Sequence, residues 1–341
     1  MPALSKPSIS VIIPTLNSGS FLNACLASIR NQSYPSAKIH ILIADGGSTD
    51  STLKIAKTYH CRIFQNKLKT AEAGKALLIK KVTTPYLISL DSDNILPSKN
   101  WISEILKPLL ANPRVIGSES IAFTYRRHSG FIERYSALLG ANDPYAFFTG
   151  VYDRYSHLTN HWTGLKITQI ETKDYLLIDL KNTKNLPTIG ANGTLYLTSF
   201  IQNIFPKNYF FDTDILSQLK LSSPLFFAKV KNDIIHSYCE ASILKFIKKQ
   251  KRRVIDLYCH QRHLKKLASI GNLRHQLLFL VYSLTLIIPI FQSLIGFIKK
   301  PDPAWFFHPL ACFSTALIYT YYSTLHFFGI LKPLSRNQWR Q

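Results

Sequence analysis

The chain has 341 residues, of which 46% are hydrophobic; this excludes a mostly disordered protein and allows one large α/β domain with an appendage. Lysine and arginine total 41 against 19 acidic residues, so the formal charge of +22 indicates a polyanionic partner: nucleic acid, anionic lipid or a phosphorylated substrate. Five scattered cysteines without a CxxC pair argue against a disulfide framework or a zinc site and fit a reducing cytoplasm. Residues 1–8 lack an apolar core, so no signal peptide is expected.

The first part of the chain alternates short apolar runs with helix-like segments. A helix is predicted after the first run and another over residues 51–59, and strands are predicted over residues 10–14, 39–44, 61–64 and 85–90. Strands that alternate with helices predict a mostly parallel sheet with helices on both faces. Polar residues follow several of these strands, at the edge where open α/β sheets bind their ligands.

The middle of the chain is less regular. Aromatic and polar residues mix between residues 126 and 185, and no element is predicted there. Order returns near Pro187, where a glycine-containing segment leads into a predicted strand over residues 194–197. A helical, strongly basic stretch is then predicted over residues 241–266.

Two apolar runs without a charged residue, 277–298 and 304–331, close the chain. Each exceeds the ~20 residues that span a bilayer core, although Pro289 and His308 leave re-entrant or interfacial placement open. Basic residues precede the first run and follow the second, so the positive-inside rule places both ends in the cytoplasm. A hairpin of the two would then put Lys299 and Lys300 in an outer loop. Basic residues beside apolar segments indicate a membrane, and no RNA-binding motif occurs.

Three segments in the first part of the chain contain candidate functional residues: SVIIPTLN at residues 10–17, ADGGSTDST at 44–52 and LDSDN at 90–94. Alone, the pair Asp91 and Asp93 fits a solvated turn as well as a site for Mg²⁺ or Mn²⁺. Together and in this order, the three segments resemble family 2 glycosyltransferases, which have the GT-A fold. The resemblance covers about residues 8–115 and returns over about 186–253.

The resemblance implies a donor site at the strand ends. Pro14, Thr15 and Asn17 match the first nucleotide-contacting strand end, and Asp45 matches the carboxylate that bonds the base of the nucleotide. Lys75, which follows a glycine, is a candidate contact for phosphate.

The same resemblance implies a metal site. Asp91 and Asp93 match the family's DxD motif, with Asp93 as the direct ligand of Mg²⁺ or Mn²⁺. His236 matches a histidine that some GT-A enzymes use at the metal or diphosphate, although a packed histidine is equally compatible with its place after a strand.

On the acceptor side, Gly190, Asn192 and Gly193 resemble the loop that precedes the general base. Asp212 aligns with that base, with Asp214 in reserve, and for both residues a helix-capping role stays open. Phe211 stands where the family usually has glutamate, which is a departure from the pattern.

The basic residues after the acceptor half also have two interpretations. Arg252 and Arg253 resemble a basic segment near the active site in some relatives, where they would bind diphosphate or a phosphorylated acceptor, and they equally fit a membrane-facing basic surface.

The expected protein is therefore an inverting, metal-dependent, hexosyltransferase-like enzyme with a UDP- or GDP-linked donor and a lipid-linked or envelope glycan acceptor. Two alternatives stay open: a sugar-phosphate nucleotidyltransferase and an inactive, membrane-associated nucleotide-sugar-binding protein. The expected fold is an α/β, Rossmann-like mixed sheet of GT-A type with C-terminal membrane helices, and its catalytic domain faces the cytoplasm. The expected boundaries are a catalytic domain at 1–240 (halves about 8–115 and 116–240), a basic segment at 241–274, membrane segments at 275–331 and a tail at 332–341.

Overall fold

The computed structural model describes residues 6–204, 209–212, 216, 224–260 and 273–332. The chain divides into two compact units. The described residues of Met1–Thr124 and Lys166–His236 form the first unit, and those of Tyr125–Leu165 and Ser237–Gln341 form the second.

The first unit is built on one mixed β-sheet. Its strands are β1 (Ile9–Thr15), β2 (Ile39–Asp45), β3 (Arg62–Gln65), β4 (Tyr86–Ser89), β5 (Asn94–Ile95), β6 (Val115–Phe123), β7 (Gln169–Glu171), β8 (Tyr175–Asp179), β9 (Thr194–Leu197) and β10 (Phe226–His236). They lie in the order β3-β2-β1-β4-β9-β6-β10-β8-β7, and β5 pairs with the end of β10. The first four are mutually parallel, and β9 runs antiparallel between β4 and β6.

The described helices are α1 (Gly19–Arg30), α2 (Thr52–Thr58), α3 (Ala71–Ile79), α4 (Trp101–Ala111), α5 (Phe131–Leu139), α6 (Pro144–Phe148), α7 (Thr198–Ile204), α8 (Ile243–His260), α9 (Leu273–Thr285), α10 (Ile287–Lys299) and α11 (His308–Phe327). The segment 126–185, for which no element is predicted, contains α5, α6, β7 and β8. The predicted basic helix over 241–266 corresponds to α8, and residues 261–272 lie outside the described residues.

The structure confirms the predicted strands of the first unit, and their ends differ from the predicted ones by at most one residue. Every residue of β1 is buried, as expected for a parallel strand that is covered on both faces. Beside it, α1 buries Leu22, Cys25, Leu26 and Ile29, the spacing of a single helix face.

The first apolar run near the C-terminus is two helices. Leu286 separates α9 from α10 with a positive φ of 57°. Pro289 explains the break, because it has no N–H for the carbonyl of Thr285 and its ring crowds that carbonyl. Within the described residues, no single helix is long and apolar enough to cross a membrane; α9 and α10 meet the criterion only as a pair bent by 73°. The C-terminal membrane helices therefore stay a prediction.

Candidate active site

The ends of β1 and β2 lie side by side and are joined by side chains of the loops that follow them. Thr15 and Asp45 pair in register, and the Thr15 hydroxyl donates to Asp45 Oδ1 at 3.0 Å. Asn17, with φ of 50°, donates its N–H to Ser48 Oγ at 2.8 Å and accepts from the Thr49 N–H at 2.9 Å. The structure thus brings the predicted donor-binding residues to one edge of the sheet, directly after Pro14.

Asp45 is 5% exposed and is engaged mainly within its own turn. Oδ2 accepts the N–H groups of Gly47 and Ser48 at 2.8 Å each, and Oδ1 accepts the hydroxyls of Thr15 and Ser48. A carboxylate offers about four acceptor positions, so these bonds use its capacity. Contact with a nucleotide base would require the exchange of one of them, and the role of Asp45 as base contact stays a prediction.

The turn that carries Asp91 and Asp93 is held by a buried asparagine. Asn94 is 0% exposed, and its Oδ1 accepts the N–H of Asp91 at 3.0 Å. Its amide donates to Asn192 Oδ1 at 3.3 Å, which ties the Asp-x-Asp turn to the predicted acceptor loop.

His236 lies next to Asp93. Antiparallel pairing of β5 with β10 sets His236 opposite Asn94, and His236 Nε2 is 3.6 Å from Asp93 Oδ2. Neighbouring ligands of an octahedral cation with bonds of about 2.1 Å lie about 3 Å apart, so these two donor atoms lie wider apart than such an ion requires and would have to close on it. Among the described residues, no group of three or more His, Cys, Asp and Glu side chains converges as a metal cluster.

Lys75 joins the two halves of the predicted site. Its ammonium is 2.9 Å from Asp91 Oδ1 and donates a short hydrogen bond to Asp212 Oδ2. The side chain of Lys75 is 4% exposed and that of Asp212 13%. Gly74 permits this position, because an added Cβ would lie 3.1 Å from Pro14 Cβ, so α3 packs closely on β1. Lys75 therefore contacts carboxylates, whereas its predicted contact with phosphate is untested.

Lys75, Asp91 and Asp212 form a triad whose charges affect one another. Burial raises the pKa of Asp212 to about 7, against the lowering effect of Lys75. Burial favours the neutral amine of Lys75, but Asp212 and Asp91 outweigh it and raise the pKa of the ammonium. Asp212 Oδ1 is buried and has no hydrogen-bond partner among the described residues. A carboxylate with one anchored and one unsatisfied oxygen, and with a pKa near neutrality, is suited to general-base catalysis.

The acceptor loop packs directly on this base. Gly190 has φ of +119°, and a Cβ there would lie 2.3 Å from the Asp212 carbonyl oxygen, so only glycine fits. Gly193 has φ of +86°, and its Cβ would lie 2.3 Å from Ile234 Cδ1.

Two buried charges that the sequence analysis does not predict hold the loop. Glu119 on β6 and Lys229 on β10 are paired in register, with Nζ–Oε1 2.8 Å and both side chains 0% exposed. Glu119 Oε2 also accepts the Gly190 N–H and the Thr194 hydroxyl at 2.9 Å each. For Glu119 the available signal was a lone charge inside an otherwise uncharged strand, whereas the strand of Lys229 also contains Lys231 and Asp233.

The remaining predicted site residues are placed differently. Asp214 lies outside the described residues. Phe211, the departure from the family pattern, packs against the Tyr209 ring at a centroid distance of 4.8 Å. Arg252 and Arg253 lie on α8 in the second unit, where Arg253 donates to Gln250 Oε1 at 2.9 Å and lies 3.6 Å from Asp143.

The comparison with protein families identifies the family of the chain. The family described as Glycosyl transferase family 2 matches residues 10–205, more than half of the chain, and includes the Asp-x-Asp turn and the acceptor loop. The chain belongs to this family. Asp212 lies beyond the matched range, so its assignment rests on the contacts with Lys75 and Gly190.

The relatives of this family 2 member are partial matches. Glycosyltransferase AglE of Haloferax volcanii is 26% identical over 137 residues, which are 38% of this chain and 45% of that protein. The poly(ribitol-phosphate) beta-N-acetylglucosaminyltransferase TarS of Staphylococcus aureus is 29% identical over 91 residues, 25% of this chain and 16% of that protein. The chain thus spans less than half the length of either relative.

Among solved structures, the mannosyltransferase PcManGT of Pyrobaculum calidifontis, in complex with GDP-Man and Mn²⁺, aligns with a TM-score of 0.57. The alignment covers 93% of this chain and 88% of that one at 12% identity. At this identity the likeness shows the fold, so the predicted mixed sheet of GT-A type is confirmed.

Proposed function

We propose that this family 2 member is an inverting, metal-dependent glycosyltransferase that moves a sugar from a UDP- or GDP-linked donor to a lipid-linked or envelope glycan acceptor. The observation that carries the proposal is the buried triad, in which Lys75 holds Asp212 beside Asp91 of the Asp-x-Asp turn. It joins a candidate base from the acceptor side to the donor side of one sheet.

In the proposed reaction, Asp212 Oδ1 takes the proton of the acceptor hydroxyl, and the acceptor oxygen bonds to the anomeric carbon. The bond from that carbon to the diphosphate oxygen breaks at the same time, so the nucleoside diphosphate leaves and a single displacement inverts the configuration. Lys75 keeps Oδ2 occupied and fixes the direction of the free oxygen. A base with a pKa near the working pH transfers protons most effectively.

Asp93 and His236, with Asp91 nearby, are the residues that would hold Mg²⁺ or Mn²⁺. When bound there, the cation supplies positive charge to the departing diphosphate. Support comes from the donor atoms, a carboxylate oxygen and an imidazole nitrogen at 3.6 Å, and from the solved neighbour, which contains Mn²⁺.

The partners in this proposal follow from related proteins and from charge. The solved neighbour contains GDP-Man, which keeps a GDP-linked donor beside a UDP-linked one. TarS is named for transfer to poly(ribitol-phosphate), a phosphate-bearing acceptor. A net charge of +22 favours such an acceptor and an anionic membrane, with the catalytic unit on the cytoplasmic side.

The test is release of nucleoside diphosphate from a panel of UDP- and GDP-sugars by the full chain in detergent with membrane lipid extract, with Mn²⁺ and then with EDTA. Release from one donor that requires the cation is expected, with loss in Asp93→Ala and in Asp212→Asn. Asp174→Asn is the matched control, because Asp174 also pairs with a lysine but its side chain is 43% exposed.

Each other outcome contradicts a part of the proposal. Pyrophosphate release from a nucleoside triphosphate would identify a nucleotidyltransferase. Nucleotide-sugar binding without release, in the presence of the lipid extract, would favour an inactive binding protein. Full activity of Asp212→Asn would refute the assignment of the base.

A further inference from the structure

The last three helices of the second unit have their faces reversed relative to those of a water-soluble protein. Their buried faces carry mostly small or polar residues: Gln276, Phe279 and Ser283 in α9, Pro289, Ser293 and Gly296 in α10, and His308, Ala311, Cys312, Thr315, Ala316 and Tyr319 in α11. Their outward faces carry large apolar residues: Leu277, Leu278, Val281, Leu284, Ile287, Ile288, Ile290, Phe291, Leu294, Phe297, Ile298, Leu310, Leu317 and Phe327. In water, helices bury their apolar face, so this reversal points to an apolar medium outside.

Several polar residues of these helices have partners on the inner side, whereas the buried hydroxyls of Ser283 and Thr315 have none among the described residues. His308 Nδ1 is 2.7 Å from the Tyr135 hydroxyl, and its Nε2 is 2.9 Å from Gln292 Oε1. Ser323 donates to Gln276 Oε1 at 2.8 Å. The side chains of His308, Gln292 and Gln276 are therefore bonded inside the unit and do not need water outside it.

Helix α8 packs along α11. The rings of Phe246 and Phe307 are 5.2 Å apart at one end, and Tyr258 lies 2.6 Å from Ser323 Oγ at the other. Between these ends, residues of α8 and α11 share one core cluster. The two helices therefore run side by side in the same direction.

The exposed lysines of α8, Lys245, Lys248 and Lys251, lie on successive turns. A helix with a charge on every turn does not cross hydrocarbon at acceptable cost, but it lies well at a headgroup layer. Since α11 is packed along α8, a headgroup layer that holds α8 would hold α11 in the same orientation.

The chain after α10 contacts residues 125–165 of the same unit. Lys299 Nζ donates to the Leu158 carbonyl at 2.6 Å, and Asp302 pairs with Arg134 at 3.0 Å. Gly296 lies against the Trp305 ring, where a Cβ would be 2.5 Å from the nearest ring atom. These contacts require Lys299 to lie on the same side of a bilayer as Leu158, and Asp302 on the same side as Arg134, which argues against an outer loop on the far side.

We propose that the second unit is an anchor seated in one leaflet of an anionic bilayer. The outward faces of α9, α10 and α11 lie among the acyl chains, and the lysines of α8 meet the anionic headgroups. The proposal rests on the membrane partner of the proposed function and is independent of the transfer reaction.

The side of the membrane on which the lysines of the second unit lie tests the proposal. Sealed membrane vesicles from cells that produce the full chain are treated with a membrane-impermeant amine reagent, intact and after lysis, and labelling is mapped by mass spectrometry. For each lysine, the labelling in intact vesicles is divided by its labelling in lysed vesicles. This ratio is expected to be the same for Lys245 and Lys248 as for Lys299 and Lys300. If one pair is labelled in intact vesicles and the other only after lysis, the chain crosses the bilayer and the proposal fails.

Flotation with vesicles of phosphatidylcholine, with and without phosphatidylglycerol, measures whether the outward faces of α9, α10 and α11 bind a lipid bilayer. Binding is expected with both and stronger with the anionic lipid, and Ile287→Asp should lower it at least about tenfold. Ile170→Asp is the matched control, since Ile170 in the first unit is 57% exposed and Ile287 72%. Equal effects of the two substitutions, or complete release of the wild type by high salt, would overturn insertion. A chain that floats, with same-side labelling but no diphosphate release, would refute the transferase and leave the anchor.

Discussion

Replacement of Lys75 by methionine tests the proposed chemistry at its centre. Methionine keeps an unbranched side chain of similar length and removes the ammonium that contacts Asp91 and Asp212. The variant leaves two carboxylates at a site where one cation joined them.

The size of the effect follows from the contacts. A cation within hydrogen-bond distance lowers the pKa of a carboxyl by about 1–3 units, so its loss raises that of Asp212 from about 7 by the same amount. At pH 7 the ionised fraction then falls about 5-fold for a rise of one unit and about 500-fold for three. Removal of one partner of a buried ion pair costs about 3–5 kcal/mol, and the lower value is expected here because Asp91 is 32% exposed.

The assay is kcat/KM for diphosphate release as a function of pH, with thermal unfolding measured on the same samples. A base acts when ionised, so the wild-type rate should rise as pH increases through about 7. In Lys75→Met this rise should move to higher pH, and activity should return in alkaline buffer. Lys75→Arg, which keeps the charge, should leave the midpoint near that of the wild type.

Lys107→Met is the control, because Lys107 also pairs with an aspartate but its side chain is 58% exposed. Its melting temperature and its pH profile should match those of the wild type, because solvent screens the exposed pair. A Lys75→Met enzyme that folds and keeps the wild-type profile would refute the reasoning that Lys75 tunes the base.

Three further outcomes are expected. In denaturant unfolding, Lys229→Met should lower the free energy of unfolding by about 3–5 kcal/mol, because its carboxylate partner Glu119 is fully buried. Lys231→Met, on the same strand but in a partly exposed pair, should lower it by less than about 1 kcal/mol. Gly190→Ala should lower kcat at least about tenfold by displacing the base, whereas Gly329→Ala, with positive φ but no described atom within 4 Å, should strain its turn by about 1 kcal/mol and retain kcat. Asp93→Ala should raise the Mn²⁺ concentration for half-maximal activity by at least about tenfold after EDTA treatment; an unchanged requirement would place the metal elsewhere.

The amino-acid sequence determined the donor half of the fold because its signals are local. The strand at Ile9–Thr15 is a continuous apolar run, and the strand at Ile39–Asp45 begins where it is predicted and ends one residue later. Side chains that follow parallel strands share one sheet edge, so Thr15 and Asp45 could be expected to meet before any coordinates were known.

The tertiary structure alone decided which charges are partners and which way the apolar faces point. Lys75 reaches Asp212 across 137 positions and Lys229 reaches Glu119 across 110, separations at which no local pattern specifies a pair. Hydropathy along the C-terminal runs records how many apolar residues occur but not the direction in which they face. That direction depends on the break at Leu286 and on packing against α8, which place small and polar residues inside and leucine, isoleucine and phenylalanine outside.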